Sequence, residues 1–235
     1  EDVIRLIEEK DLMTDELRDK IMKATKLVEV EDLYRPFKEK KKTKATEAIK
    51  NGLEPLAKMI MSFKISQDID EVAKKFINEN VKTKEDAIMG ASYIIAEWIS
   101  DNAYYRKSVR QFTYHNGIIT SKKKKNAEDV NKIYEMYYDY KEAVKYVKPH
   151  RILAMNRGEK EKILTVNIDV DKDKIISYLE GKIIKDEKSK ATPVVKMAIL
   201  DSYKRLIQPS IEREIRSELS EKAEEVAIDN FGKNL

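Results

Sequence analysis

The chain of 235 residues contains no cysteine, which excludes a disulfide framework and thiol catalysis. A chain without thiols fits a reducing compartment, so we expect a cytoplasmic protein. Glycine (6) and proline (5) are scarce, and so few helix breakers favour long helices over a sheet-rich fold. No apolar run approaches the roughly 18 residues that a membrane-spanning helix needs, so no membrane partner is expected.

A signal peptide and an initiator methionine are also missing from the start of the chain, which reads EDVIRLIEEKD. A charged start of this kind is not typical of a secretory leader. Because the first residues already have helical character, we expect a piece of a longer protein.

Charge is abundant but nearly balanced. Hydrophobic residues make up 41% of the chain and charged residues 38%, so the apolar fraction is too large for general disorder. The net charge is only +4, which is too small for the whole surface to attract nucleic acid. Any such binding must come from a local cluster of cations.

Apolar periodicity and capping residues predict a series of helices. Apolar residues recur at three- and four-residue intervals from Leu17 to Val28, after a Thr14 cap, and Pro36 ends that helix. The only tryptophan, Trp98, is interpreted as a core residue. On the last predicted helix, Glu212 and Arg216 are interpreted as an ion pair on the surface, at four-residue spacing. The predicted helices cover 14–34, 43–50, 54–61, 68–78, 84–99, 129–146, 192–206 and 211–231, with Asn51-Gly52, Thr192-Pro193 and Pro209-Ser210 at helix ends.

Two stretches predict small β-hairpins. In QFTYHNGIIT (111–120), Asn116-Gly117 lies between β-prone pieces. In the second, RILAM (151–155) and KILTV (162–166) form the two arms around a turn that contains Arg157. A further short strand is predicted at 182–184, after a helix that ends at 179–181. The predicted fold class is therefore mainly α, a multi-helix scaffold with one or two small β-hairpins.

A dense cationic loop is the best candidate contact site. Lysine side chains neutralise phosphates and release counterions, which gives salt-sensitive, sequence-independent affinity. The alternative is a solvated loop that only keeps the protein soluble. The cluster consists of Lys38, Lys40, Lys41, Lys42 and Lys44, preceded by Arg35.

Other basic and aromatic stretches allow two interpretations each. Arg157 and Lys160, at the predicted second turn, would contact phosphate, while Arg151 and Glu159 favour an internal salt-bridge network. The run 122–125 is a weaker cationic candidate. The tyrosines of 129–146 recur at three- and four-residue intervals, which predicts core positions on a helix. The alternative is that their rings stack on unpaired bases.

No catalytic or metal-binding arrangement is predicted. Asp169, Asp171, Asp173 and Glu180 match positions of a calcium loop, but Lys174 replaces the glycine that the sharp turn needs. No nucleophile or carboxylate lies at a sequence spacing from His150 that would indicate acid–base catalysis. We therefore predict a non-enzyme without metal, cofactor or small-molecule substrate.

Four segments together resemble the bacterial Tex family of transcription accessory proteins. They are VEVEDLYRPFKEKKKTKATEAIKNGLEPLA (28–57), IIAEWISDNAYYRKSVR (94–110), YVKPHRILAMNRGEKEKILTV (146–166) and PSIEREIRSELSEKAEEVAIDNFGKNL (209–235). The third departs from the family pattern, because Pro149 stands where the family has a serine before the histidine and arginine. The hydroxyl of that serine is therefore missing here.

The resemblance implies a mainly helical, multi-domain, nucleic-acid-binding protein. Members carry an RNase-H-like module, helix-hairpin-helix elements and an OB-fold RNA-binding module downstream. On this basis 1–148 is the family's N-terminal helical region, shortened at its start, and 149–235 leads to an absent RNase-H-like domain. Sequence-independent binding of RNA or DNA and attachment to the transcription machinery are then expected. The alternative is a structural and protein-interaction scaffold that positions the missing nucleic-acid-binding domains.

Overall fold

The computed structural model describes residues 1–233, which form mainly helices and a small antiparallel sheet. The helices are α1 Asp2–Glu8, α2 Asp15–Lys23, α3 Leu27–Tyr34, α4 Lys44–Lys50, α5 Glu54–Met61, α6 Ile69–Lys74, α7 Lys84–Asp101, α8 Ala103–Asn116, α9 Pro149–Lys160, α10 Lys172–Ile183, α11 Thr192–Asp201 and α12 Gln208–Lys233. The strands are β1 Ile118–Lys123, β2 Asp139–Ala143 and β3 Leu164–Asp169. The predicted fold class, mainly α with a small β element, is confirmed.

Packing divides the chain into two units that interleave along the sequence. The first unit contains 1–107 and 173–208, and the second contains 108–172 and 209–235. These limits describe packing, whereas the predicted boundary between 148 and 149 concerns family segments and stays a prediction.

Helix α7 forms the centre of the first unit. Its apolar residues Ile94, Ile95 and Ile99 are buried, and α4, α5, α6 and α11 pack around it. A helix surrounded in this way needs apolar side chains on most of its circumference. Trp98 is 36% exposed, so the prediction that it belongs to the core is wrong.

Several predicted helix ends are confirmed by their capping contacts. Thr14 Oγ1 accepts a hydrogen bond from Leu17 N–H, and Thr83 Oγ1 accepts one from Asp86 N–H, both at 3.1 Å. Gly52 follows α4 with φ of 84°, a left-handed conformation that glycine adopts without steric cost.

Some predicted elements of the first unit differ from the structure. The helix over 14–34 is two helices, because Ala24 takes an extended conformation (ψ 129°) and leaves Leu27 74% exposed. The helix over 68–78 ends at Lys74. Residues 179–183 are helical in α10, so neither the helix end at 179–181 nor the strand at 182–184 exists.

The sequence predicts Thr192 as the N-cap of α11 and Pro193 as its first residue, but the helix begins one residue earlier. Thr192 is its first residue, and the Thr192 hydroxyl donates to Asp186 O instead of capping the helix. A π-helical turn, Ser202–Ile207, leads directly from α11 into α12. Pro209 therefore lies inside a continuous helical stretch, directly after the π-helical turn, and the predicted start after Ser210 is wrong.

The second unit is built on the sheet, whose strand order is β2-β1-β3 with antiparallel pairing throughout. Leu164, Val166 and Ile168 of β3 are buried and alternate with exposed residues, which is the pattern of a half-buried strand. Helix α12 covers the free edge of β3. Glu212 accepts from Ile168 N–H at 3.0 Å, and Arg216 donates to Val166 O at 3.3 Å.

Neither predicted hairpin forms, but part of the second arm of each is a strand, 118–120 in β1 and 164–166 in β3. Residues 151–155 lie in α9, which Pro149 opens at a position where a helix tolerates proline. Gly158 is a packing position and not a turn, since a Cβ there would lie 2.5 Å from Leu164 Cδ1. Asn116 is the last residue of α8, because Gly117 N–H donates to Thr113 O at 2.8 Å and continues the helical bonding.

The predicted tyrosine-rich helix is also wrong. The Asp129 carboxylate accepts hydrogen bonds from Ile133 N–H, Tyr134 N–H and the Tyr138 hydroxyl, at 2.8–3.0 Å. Lys132 has a φ of 51°, outside the helical region. A short polar side chain that binds nearby N–H groups competes with helix formation, so the segment forms 3-10 turns and β2.

Candidate nucleic-acid interface

The cationic segment, residues 35–44, connects α3 to α4 in the first unit. Pro36 ends α3 and forms a 3-10 turn over Arg35–Phe37. The turn is held by Lys10, whose Nζ donates to Phe37 O at 2.7 Å. Thr43 and Thr46 then form a reciprocal cap that starts α4.

Lys40 holds this segment to the central helix. Its Nζ lies 2.6 Å from Glu97 Oε1 and also pairs with Asp101, and the Lys40 side chain is only 25% exposed. Thr43 Oγ1 donates to Glu97 at 3.0 Å. Burial raises the pKa of Asp101, against the opposing effect of Lys40. Because two carboxylates share the Lys40 ammonium, its charge is balanced within the protein.

The other four lysines of the segment keep exposed side chains, and we call them the outer lysines. Lys42 Nζ approaches Glu47 only to 3.8 Å and is 84% exposed, an arrangement that contributes little. Arg35 is partly exposed, and its charge acts on Asp101. The outer lysines are Lys38, Lys41, Lys42 and Lys44.

Tyr93 links the cationic segment to the end of the α11 region. Lys44 Nζ lies 4.8 Å from the centroid of the Tyr93 ring, and Arg205 Cζ lies 5.3 Å from it. Both distances are within cation–π range. Arg205 also forms a two-point ion pair with Asp201, at 2.8 and 3.0 Å. The sequence gives no indication that Tyr93 joins these groups, because the three lie far apart along the chain.

Arg157 and Lys160 are exposed on the last turn of α9. They belong to the second unit, while the outer lysines belong to the first. Arg151 and Glu159 each form an internal ion pair, as the sequence favours, but their partners lie outside the predicted set and the two pairs are separate. Arg151 pairs with Glu142 at 3.1 Å, and Glu159 pairs with Arg216 at 2.7 Å.

The contacts of Arg216 replace the predicted pair between Glu212 and Arg216. Burial by itself would raise the pKa of Glu159, but the hydrogen bonds and the charge of Arg216 outweigh it, and the pKa is lowered. Both α12 side chains bind other parts of the second unit. The predicted pair further along the helix, Glu218 with Lys222, is present at 3.1 Å.

The weaker candidates fall into structural roles or remain untested. Tyr134 and Tyr137 are buried, which agrees with the predicted core role, although the helix on which that prediction was based does not form and Tyr138 is only partly buried. Lys123 Nζ lies 4.8 Å from the Tyr138 ring centroid at the end of β1.

Within residues 1–233, no three His, Cys, Asp or Glu side chains are grouped as a metal ion would require. In the part of the chain that the structure describes, no helix combines the length and hydropathy needed to cross a bilayer.

Comparison with known proteins gives a consistent result. A family model described as Tex central region-like matches residues 64–231. The chain is 53% identical to the YdcI protein of Bacillus subtilis over all of its own length and 33% of that protein. It is 29% identical to the transcriptional accessory protein Tex of Neisseria gonorrhoeae, over 99% of this chain and 31% of that one.

A human protein named S1 RNA-binding domain-containing protein 1 is also similar, at 27% identity over 99% of this chain and 24% of that one. The chain thus spans about a third or less of the length of the curated relatives it matches.

Proposed function

Because this chain belongs to the Tex family, we propose that it contributes sequence-independent RNA or DNA contacts to a transcription accessory protein. The names of two relatives support this proposal. One is named a transcriptional accessory protein, and another is named for an RNA-binding domain. The contacts are assigned to the outer lysines.

The observation that carries the proposal is the way the cationic segment is held. Lys40 and Thr43 fix it to Glu97, while the outer lysines remain exposed. A fixed backbone with exposed ammonium groups meets a polyanion at a smaller entropic cost than a free loop. Lys40 itself is left out of the interface, because its charge is already balanced.

The proposal predicts a specific salt dependence. If each outer lysine neutralises one phosphate, log K falls against log salt with a slope of about −3 for single strands and about −3.6 for duplex DNA. Replacing all outer lysines by glutamine should remove most of that slope. Fluorescence anisotropy of labelled single-stranded RNA and of duplex DNA, titrated over salt, measures it.

A matched control separates local contacts from net charge. Exposed lysines elsewhere in the first unit are replaced by glutamine in equal number, which changes the net charge equally. We expect this control to keep nearly the full slope. If the outer-lysine variant and the control variant lose the same amount of slope, the phosphate contacts are not made by the outer lysines. The control lysines are Lys64, Lys75, Lys82 and Lys188.

Arg157 and Lys160 are proposed as an additional phosphate contact in the second unit. Both side chains are exposed, and no carboxylate partner is seen for them in the part of the chain that the structure describes. Their replacement by glutamine should lower the slope by up to about 2. An unchanged slope would remove them from the interface.

The second candidate is a scaffold that positions other domains of a longer protein and attaches to the transcription machinery. The observation that favours it is length, since the relatives are about three times as long. It predicts no binding by this chain at low salt, with binding only in the longer protein. In either case we propose a cytoplasmic, non-catalytic role, in keeping with the accessory-protein names and the absence of cysteine.

A further inference from the structure

The first unit has an open cleft between α2, α3 and the start of α8. The cleft has a volume of about 300 Å³, which is at the lower end of the range for small-molecule sites. Its walls are largely apolar, with cations at the rim. The lining residues include Lys20, Lys23, Glu29, Leu33, Tyr104 and Lys107.

Tyr104 gives the cleft an aromatic wall. Its side chain is 59% exposed. Tyr105 lies edge-on to it, with ring centroids 6.1 Å apart, and Lys182 Nζ lies 5.7 Å from its centroid. An exposed ring with neighbours that fix its position is suited to stacking against a flat ligand.

The acids of the cleft are already balanced by other groups. Glu29 is bound by Lys107 at 2.8 Å and by Thr25 N–H at 3.1 Å. These two contacts lower the pKa of Glu29 to about 2, so it stays ionised and paired at neutral pH. Asp32 is buried against Arg106, with Nε to Oδ1 at 3.0 Å.

The rim lysines have weaker attachments. Lys20 pairs with Glu16 and Lys23 with Asp19, each at 2.6 Å and four residues apart on exposed α2. Exposed pairs of this kind contribute little to stability. A phosphate can therefore pair with Lys20 and Lys23 in place of Glu16 and Asp19 at a small cost. The carboxylates inside the cleft are already paired with cations, which reduces their repulsion of a phosphate.

We propose that this cleft binds one unpaired nucleotide of a single-stranded nucleic acid, with the base on Tyr104 and the phosphate at Lys20 and Lys23. The inference rests on the proposed function and adds a preference for single strands, since the bases of a duplex are stacked on each other. Helix α3 lines the cleft and leads directly to the cationic segment. With eight residues, α3 is about 12 Å long, a distance that a few nucleotides span.

The test replaces Tyr104 by alanine or phenylalanine and uses three probes. They are a single strand of about 12 nucleotides, the same strand with abasic sites, and a duplex. Stacking contributes roughly 1–3 kcal/mol per base, so Tyr104→Ala should weaken single-strand binding at least about fivefold. Tyr104→Phe should keep it, and duplex and abasic binding should not change.

Tyr146 offers a matched control in the second unit. It is 66% exposed and has Lys145 Nζ 5.0 Å from its ring centroid, yet it does not line the cleft. Tyr146→Ala should leave binding unchanged. Equal losses for Tyr104→Ala and Tyr146→Ala, or a loss on duplex as large as on single strand, would overturn the proposal.

A titration that does not depend on the outer lysines separates this inference from the proposed function. A nucleoside 5′-monophosphate is added to the chain with its outer lysines replaced by glutamine, and the backbone amide signals of Ala103, Tyr104 and Lys107 are followed by NMR. Saturable shifts that Tyr104→Ala abolishes support the cleft even if the lysine proposal fails. No shifts with the nucleotide, or shifts only with an acidic peptide, would overturn it, and the second result would assign the cleft to a protein partner.

Discussion

Among single residues, Arg106 and Asp32 form the most deeply buried ion pair of the first unit in the described part of the chain. The Arg106 side chain is fully buried and Asp32 is 4% exposed. The Arg106 guanidinium also donates to Ser100 O at 3.3 Å. A charge in this setting is stable only while its partner is present, because the interior cannot solvate it.

We predict that Arg106→Met lowers the free energy of unfolding by about 3–5 kcal/mol, since it leaves a buried carboxylate without its main cation. Urea unfolding followed by circular dichroism measures the change. The double variant Arg106→Met with Asp32→Leu should recover much of the loss. Equal stability of the single variant and the unsubstituted protein would show that Asp32 finds other compensation.

The lysines of the cationic segment show where prediction from sequence ends at this scale. Five lysines within seven positions look equivalent in the sequence. Only the packing of the segment on α7 reveals that Lys40 is bound by Glu97 and Asp101. The sequence predicts the cluster, but which of its charges is available depends on contacts with residues more than fifty positions away.

At the scale of elements, α12 protects the open edge of the small sheet. Glu212 accepts from the N–H of Ile168 and Arg216 donates to the C=O of Val166, on the edge of β3 that has no partner strand. Unpaired strand edges are sites of unwanted association between chains. The side chains of the helix thus act in place of a further strand.

We predict that Arg216→Met destabilises the second unit by roughly 1–3 kcal/mol, because it removes charge-assisted hydrogen bonds to Glu159 and a bond to Val166 O. Hydrogen exchange should become faster at the β3 amides, and at Val166 in particular, because its N–H binds Glu159, which Arg216 holds in place. Lys222→Met on the same helix is the control. Its partner Glu218 is exposed, so we expect a change of only a few tenths of a kcal/mol.

Helices were predicted more successfully than strands, for a physical reason. Caps such as Thr14, Thr43 and Thr83 act within a few residues, so they can be recognised locally. Gly158 resembles a turn residue in the sequence, but its lack of a side chain makes room for Leu164. That requirement comes from tertiary packing, which a local pattern does not contain.

At the scale of the whole molecule, the first unit is discontinuous in sequence. Residues 173–208 complete a unit that residues 1–107 begin. Helix α11 packs on α7 and α5, and Ser202 Oγ donates to Ala96 O at 2.6 Å in the interior. The apolar face of α7 is therefore covered only when both segments are present.

We predict that residues 1–107 alone do not unfold cooperatively, because the α7 face that α11 covers would be exposed. A chain that joins 1–107 to 173–208 through a short glycine-serine linker should regain a cooperative thermal transition. Circular dichroism melting compares the two. A sharp transition in 1–107 alone would show that α11 is dispensable for this unit.

This discontinuity has a consequence for synthesis on the ribosome. The segment that closes the first unit emerges roughly a hundred residues after α7, which at elongation rates of about 5–20 residues per second is a delay of about 5–20 s. During that time the nascent polypeptide exposes the hydrophobic face of α7 that α11 will cover, while the second unit is still being translated. Newly made chains should therefore engage holdase chaperones, and slower codons between positions 108 and 172 should lengthen that engagement.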